Sequence, residues 1–377
     1  KIESDIFRIK PYVLTRLNSD STYYEYRKNR DQWGFRNDST NMWPDTWFNQ
    51  FNYLGTDPFT NMQYSRTQGD STFNKAFLND HSDWISWVNT FTVDACYFSA
   101  MNGWYKPSAV IKWRSKSDIW NGSCFGIAAA NALAFSHREQ FKTKCPNFPA
   151  IINPITVVSD TGVKRVVNEL YTYQYGNPTQ ANDPSALAKT PNQTLNEIRQ
   201  MLLEDSAQVR TLSIYNNGGD GGHTILAYGL KQDPVQKNLF RVQVYDNSNP
   251  NSNNPINIDT LTNGGKGSWS TPDWAGWGGN GKIHLEIPSI QYLNGATFPA
   301  RSIQQSAFML PQNVLEINYP NDTQIKIIDN LGNITGYVNS LALNEIPGSL
   351  PQMIRNGSET PPYGYSLFAD NYSVVLN

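Results

Sequence analysis

The stretch DIWNGSCFGIAAANALAF, Asp118–Phe135, decides the fold of this chain. From Cys124 onward the sequence CFGIAAANALAFSHREQF is rich in alanine, contains no proline and has high helix propensity. Apolar residues fill more than one side of that helix, so we expect it to be buried. It should end before the Cys145-Pro146 pair.

Four alternating segments follow this helix and predict β-strands. They are RTLSIY (Arg210–Tyr215), HTILAYGL (His223–Leu230), FRVQVYD (Phe240–Asp246) and KIHLEI (Lys282–Ile287). A buried helix followed by a run of antiparallel strands indicates an α+β fold.

A second helix is expected after Pro191. Thr194 and Glu197 have the T-x-x-E spacing of a capping box, which we assign to the start of this helix.

The chain divides into three predicted parts. Residues 1–105 are rich in aromatics and turns and are expected to pack onto the next part as an ordered extension. Residues 106–293 form the predicted central domain, which contains the buried helix and the four strands. Residues 300–377 contain short alternating runs, with a hairpin expected around Asn330–Asn333, and predict a β-sandwich module.

Composition excludes several classes of function. The 377 residues carry a net charge of −2, and only 16 % are charged, so we expect no nucleic-acid face. We find no apolar run of the roughly 20 residues that a membrane span needs. Uncharged polar residues and tyrosine dominate, which is common in secreted bacterial proteins, so we expect a secreted or cell-surface monomer.

Three cysteines are too few for a disulfide framework or a zinc set. Cys96 and Cys145 either pair, leaving Cys124 free, or all three remain thiols. We expect no cofactor and no bound metal. The segment DNSNPNSNN holds one carboxylate and predicts a polar loop rather than a calcium site.

Cys124 lies where the long helix should begin. A helix N-terminus offers unpaired N–H groups and a positive dipole end, which favour a thiolate, and the backbone N–H of Cys124 is free to donate to an oxyanion. Gly122 allows a tight turn before it. A small buried thiol is the alternative interpretation of Cys124.

A nucleophilic thiolate needs a nearby base, and the chain has four histidines. His137 lies on the same helix about 20 Å along its axis and cannot reach the sulfur. His81 lies in the extension, and His284 lies mid-strand at a position expected to face solvent. His223 is therefore the candidate base.

The orienting partner of that base is predicted at the end of the next strand. Asp246 shares parity with Val242 and Val244 and should lean to the buried side, whereas Asn247 should lean to the other. Neighbouring antiparallel strands would then bring His223 and Asp246 together. Asn247 is the substitute orienter, and Asp246 as a plain Asx-turn residue is the alternative.

Three motifs resemble those of the papain-like cysteine peptidase superfamily. NGSCFGIA is similar to its nucleophile turn, GGHTILAYGL to its histidine strand, and VYDNSNP to the strand that carries its third residue. The motifs occur in the family's order, and the resemblance extends from about Trp113 to Ile287.

This resemblance implies hydrolysis of a protein or peptide substrate through a thioester, without a cofactor. Family members usually carry a glutamine six residues before the nucleophile, where this chain has Asp118. A carboxylate cannot donate to an oxyanion. Asn121 or a residue of the extension is expected to replace it.

Other functions stay open at the level of sequence. A catalytically impaired papain-like module that serves adhesion is one, and a transpeptidase or transglutaminase with the same residues is another. A glycan hydrolase needs two facing carboxylates, and no pair can be nominated. The tryptophans of SWSTPDWAGWGGNGK either line a groove or anchor a loop.

Overall fold

A computed structural model describes most of the central part of the chain and portions of both ends. The described residues are 12–17, 23–37, 84–99, 104–106, 109, 122–146, 148, 161–204, 208–218, 221–296, 314–318, 325–338, 341–347, 349–351, 358–359, 364–368 and 372–376.

The helices of this part of the chain are α1 (Lys28–Asp31), α2 (Trp84–Phe91), α3 (Val93–Cys96), α4 (Cys124–Ser136), α5 (Arg138–Lys144), α6 (Thr161–Thr172), α7 (Asn177–Leu187), α8 (Pro191–Leu203) and α9 (Thr262–Gly265). The strands are β1 (Thr15–Leu17), β2 (Tyr23–Glu25), β3 (Tyr97–Ser99), β4 (Trp104–Tyr105), β5 (Arg210–Tyr215), β6 (Gly221–Gln232), β7 (Leu239–Tyr245), β8 (Ile256–Asp259), β9 (Ser268–Ser270), β10 (Gly278–Gly279), β11 (Ile283–Pro288), β12 (Val314–Asn318), β13 (Ile325–Ile328), β14 (Ile334–Val338), β15 (Leu341–Asn344), β16 (Leu350–Pro351), β17 (Ser358–Glu359), β18 (Gly364–Phe368) and β19 (Ser373–Leu376).

The central helix α4 is buried from Cys124 to Phe135, as its composition predicts. Its alanines let neighbouring elements approach closely, and at Gly126 the contact is with backbone. A Cβ added at Gly126 would lie 1.9 Å from the carbonyl oxygen of Val167 and 2.8 Å from the nitrogen of Tyr171, both on α6. Helices α4 and α6 therefore pack in direct backbone contact.

The contact at Gly126 predicts a large loss of stability in Gly126→Ala. A methyl group there must push α6 away, and overpacking of this kind costs about 3 kcal/mol. Urea unfolding measures the change in the free energy of unfolding. Gly332→Ala is the control, because that position has open space and a φ of 85°; its strain should cost only about 1 kcal/mol. Equal losses in the two variants would contradict this account of the packing.

Helix α4 packs on a large antiparallel sheet. Seven strands lie in the order β10-β9-β8-β7-β6-β5-β11, and β17 pairs with the first two residues of β6. Strand β6 thus lies between β5 and β7, and its residues from Gly221 to Ala227 are buried. The α+β class predicted from the sequence is confirmed at this level.

The described N-terminal residues pack against the same core. The Tyr26 hydroxyl donates to Asn131 Oδ1 (2.8 Å), and Trp33 Nε1 donates to the carbonyl of Ile127 (3.1 Å). The Leu14 N–H donates to the carbonyl of Tyr228 on β6 (2.8 Å). This segment therefore contacts both the central helix and the sheet.

The predicted helix from Cys124 is interrupted, and one predicted helix cap is wrong. Helical structure ends at Lys144, before Cys145-Pro146 as predicted, but His137 leaves helical dihedrals (φ −129°, ψ 55°), so α4 stops at Ser136 and α5 follows it. The capping box of α8 is formed by Thr190 and Gln193 rather than by Thr194 and Glu197. Pro191 occupies the first helical position, where its missing N–H costs nothing, so the cap is the residue before it.

Two further antiparallel sheets lie in the C-terminal part, with strand orders β12-β18-β16 and β15-β14-β13-β19. The hairpin expected around Asn330–Asn333 joins β13 to β14. The sheets share a small core of Ile325, Ile327, Ile346, Tyr365 and Leu367. The Tyr365 hydroxyl donates to the carbonyl of Gly336 and links the two sheets (2.5 Å).

Within the described ranges, no helix is both long and apolar enough to cross a bilayer.

Candidate active site

Cys124 is the first residue of α4, as the sequence predicts. Ser123 precedes it as the N-cap residue, and the Ser123 N–H donates to Asn37 Oδ1 (2.7 Å). Asn37 belongs to the N-terminal part of the chain, so that part reaches the residue next to the cysteine. The Cys124 sulfur is fully buried and accepts a hydrogen bond from the Thr224 N–H (3.4 Å).

His223 and Asp246 lie side by side. Strands β6 and β7 pair antiparallel, with Leu226 opposite Tyr245, so the start of one strand lies beside the end of the other. His223 Nε2 and Asp246 Oδ1 are 2.7 Å apart, and both side chains are buried. The structure therefore places His223 beside Asp246, as strand parity predicts.

The Cys124 sulfur lies close to the same imidazole. It accepts a hydrogen bond from the N–H of Thr224, the residue after His223, and its charge helps to raise the pKa of His223. His223 Nε2 contacts Asp246, and Nδ1 has no hydrogen-bond partner among the described residues. The three predicted residues therefore converge.

The electrostatics of the buried pair favour its charged form. Burial lowers the pKa of His223, but the charges of Asp246 and Cys124 and the hydrogen bond to Asp246 outweigh it and raise the pKa to about 10. Burial raises the pKa of Asp246, but the charge of His223 and the donors around the carboxylate hold that pKa well below its ordinary value. An imidazolium beside a carboxylate is the expected state at neutral pH.

Asn247 does not lean away from the core, so the prediction from parity is wrong there. Its side chain is fully buried, and Nδ2 donates to the carbonyls of Cys124 (3.1 Å) and Thr224 (2.9 Å). The strand ends at Tyr245, and alternation does not extend into the loop beyond it. Asn247 thus ties the start of α4 to β6, while Asp246 alone contacts His223 Nε2.

Trp274 contacts both His223 and Asp246. Its Nε1 donates to Asp246 Oδ2 (2.8 Å), and its ring centroid lies 4.3 Å from that of His223. Of the two sequence interpretations, a loop anchor describes this tryptophan better than a groove wall. Its position in a loop gave no parity signal that would link it to Asp246.

The hydrogen bond from Trp274 predicts that Trp274→Phe loses stability while keeping a ring beside His223. A bond to a buried carboxylate contributes about 2 kcal/mol. The pKa of Asp246 should rise in the variant, because this donor helps to lower it. Urea unfolding and the alkylation rate of Cys124 are the two measurements.

Trp269→Phe is the matched control, because Trp269 Nε1 donates to a neutral acceptor, the carbonyl of Gly281 (2.7 Å). It should lose stability through both the smaller ring and the lost hydrogen bond, but it should leave Cys124 reactivity unchanged. If Cys124 reactivity is unchanged in Trp274→Phe as well, Trp274 does not act on the pair.

The remaining candidates are distributed as follows. Cys96 and Cys145 are both buried and form no disulfide with each other. His137 contacts Ser136 and lies away from the site. His284 was expected to face solvent, which is wrong: it is fully buried. Asp118, Asn121 and His81 lie outside the described residues.

Comparisons with protein-family models, with curated proteins and with solved structures found no match to this chain.

Proposed function

We propose that this protein is a cysteine peptidase that hydrolyses peptide bonds through a thioester on Cys124. The observation that supports the proposal is the convergence of a thiol at a helix N-terminus, a buried imidazole and a buried carboxylate. The Cys124 sulfur lies beside His223, and His223 Nε2 is 2.7 Å from Asp246 Oδ1. These are the three roles that nucleophilic catalysis by cysteine requires.

In the proposed reaction the Cys124 thiolate attacks the carbonyl carbon of the peptide bond, and the carbonyl oxygen takes up the negative charge. His223 donates its proton to the leaving amine as the C–N bond breaks, which leaves a thioester. His223 then takes a proton from water, the hydroxide attacks the thioester carbon, and the C–S bond breaks to release the acid. Asp246 holds the imidazole and stabilises its positive charge.

The oxyanion needs donors. In the proposal the backbone N–H of Cys124, at the start of α4, supplies one of them, and Asn121 is our candidate for the second. A carboxylate at Asp118 cannot take that role.

The arrangement supports a papain-like assignment within this proposal. A buried helix begins at the cysteine and packs on an antiparallel sheet, and the histidine and the aspartate come from neighbouring strands in the order Cys, His, Asp. We extend the proposal to a secreted or cell-surface protein that acts on protein or peptide substrates.

Access to the sulfur is part of the proposal, because Cys124 and His223 each have 0 % of their surface exposed. A substrate reaches the thiol only after the covering residues move or are removed. Limited proteolysis before the assay is therefore one arm of the test.

The test is to incubate the intact and the proteolysed protein with a peptide library and to identify products by mass spectrometry, with and without hydroxylamine. We expect new C-termini in the absence of hydroxylamine and hydroxamates in its presence, which report the thioester. A transpeptidase would instead join the acyl group to an added peptide amine. No cleavage and no hydroxamate in either form would contradict the proposal.

The burial of the site favours a second candidate, a binding module that has kept the peptidase architecture without its activity. For such a module we expect Cys124 to be alkylated no faster than the other buried thiols, in both the intact and the proteolysed protein. The peptidase predicts fast alkylation once the site opens.

A further inference from the structure

A second cluster of chemically reactive side chains lies away from Cys124. His284 and Glu286 are two residues apart on β11 and so share one face of the sheet, and Asp183 comes from α7, which packs on that strand. All three side chains are buried, and each offers one ligand atom within 4.8 Å of the others. None of these three residues takes part in the proposed peptidase reaction.

The contacts inside the cluster leave the imidazole incompletely satisfied. His284 Nε2 is 3.1 Å from Glu286 Oε1, which also accepts a hydrogen bond from Ser213 Oγ (2.5 Å). The Tyr215 ring stacks on His284 at 5.6 Å. His284 is fully buried, and its Nδ1 has no hydrogen-bond partner among the described residues. Either neutral tautomer therefore leaves one ring nitrogen without a satisfactory partner in the core.

The cluster brings two carboxylates to one imidazole in a buried environment, and the charge of Asp183 also acts on Lys282. Buried charges are retained when they are paired or coordinate a metal.

We propose that Asp183, His284 and Glu286 bind a divalent cation of the zinc type. An imidazole nitrogen with two carboxylate oxygens is a ligand set that suits Zn²⁺, and three protein ligands leave one position for water. Tetrahedral bonds of about 2.0–2.2 Å place ligand atoms about 3.3–3.6 Å apart, so a pair at the 4.8 Å limit must close by roughly 1 Å when the ion binds. Ser213 then serves as the outer partner that orients Glu286.

The proposed ion stabilises the fold, because its ligands join α7 to the edge strand of the large sheet. Strand β11 pairs with β5, which in turn pairs with the strand that carries His223. Metal binding would therefore raise the melting temperature of the domain.

The test uses the full chain with Cys124→Ala, so that a thiolate beside His223 cannot bind zinc. After dialysis against a chelator, Zn²⁺ is titrated and followed by calorimetry and by the melting temperature. We expect one ion per chain with a Kd of about 1 µM or tighter and a higher melting temperature. The absence of such binding overturns the proposal without any further variant.

Variants of the ligands then locate the ion. His284→Gln and Asp183→Asn should each weaken binding more than 100-fold, whereas loss of the outer partner in Ser213→Ala should cost roughly 10–100-fold. His137→Gln is the matched control and should bind normally. Binding that persists in His284→Gln overturns the proposal.

X-ray absorption of the zinc-loaded Cys124→Ala protein gives the answer even if the ligand variants fail to fold. One imidazole and otherwise oxygen neighbours support the site. Sulfur ligands or two imidazoles place the ion elsewhere and overturn it.

Discussion

Replacing Cys124 with Ala abolishes peptide hydrolysis, with kcat/KM expected to fall by about 10⁴-fold or more, because Cys124 is the thiol that lies beside His223 and Asp246. The fold should persist. Cys124 is a small side chain at the start of α4, so losing its sulfur costs about 1 kcal/mol. The measurement is kcat/KM on a peptide that the wild-type protein cleaves, with thermal unfolding followed by circular dichroism.

Cys145→Ala is the matched control for this experiment. It removes a buried thiol from the main hydrophobic core and leaves His223 in place. Its activity should stay within a few-fold of wild type. Activity that survives in Cys124→Ala within tenfold would place the chemistry on another residue.

Asp246→Asn is expected to have the second-largest effect, a fall in kcat of about 10²–10⁴-fold. The carboxylate does more than hold His223. Its Oδ2 accepts hydrogen bonds from Trp274 Nε1 (2.8 Å) and Asn249 Nδ2 (3.2 Å), while Oδ1 accepts from the Ser248 N–H (2.9 Å). In Asp246→Asn, the amide nitrogen takes the place of one of these two oxygens. That nitrogen is a donor and would face donors, so the asparagine cannot make both sets of contacts.

The same substitution should change the pH dependence of stability. The pKa of His223 is raised to about 10, so its contribution is complete below about pH 6.5 and is lost as pH rises toward 10. The pKa of Asp246 is depressed, so its contribution is present above about pH 4 and is lost as pH falls. The pair therefore stabilises the fold most between about pH 4 and 6.5.

The difference in free energy of unfolding between wild type and Asp246→Asn should accordingly shrink from pH 7 to pH 10, by at most about 1.4 kcal/mol per pH unit. Urea unfolding across this range is the measurement. Asp233→Asn is the control, because Asp233 accepts two backbone N–H groups and pairs with Arg241 but lies away from His223. A difference that stays constant with pH for Asp246→Asn would contradict the assigned ion pair.

The sequence predicts the elements that bring the candidate site together. The alanine-rich stretch after Cys124 predicts a buried helix, and parity along two strands predicts that His223 and Asp246 meet. These features are local, since they depend on propensity and on a period of two. The position of the Cys124 sulfur beside this pair could not be derived from local patterns, because it depends on how α4 packs on the sheet.

Strand alternation predicted the wrong side-chain direction in two situations. In one the strand is covered on both faces, and in the other the strand has already ended. His284 alternates with apolar neighbours and was expected in solvent, but every residue of β11 from Ile283 to Ile287 is buried. Asn247 lies beyond the last residue of β7, so alternation no longer governs its direction. Trp274 and Asn37 reach the site from loops, where no periodic signal exists.

The most direct test of the account is the rate at which iodoacetamide alkylates each cysteine at pH 7, in wild type and in His223→Ala. Cys96 and Cys145 are internal references in the same molecule, and burial raises the pKa of Cys96 to about 12. We predict that Cys124 reacts on the order of 100-fold faster than either reference once the site opens, and that His223→Ala removes this advantage. Equal rates for the three thiols, or a Cys124 rate that is unchanged in His223→Ala, would contradict the nucleophile assignment.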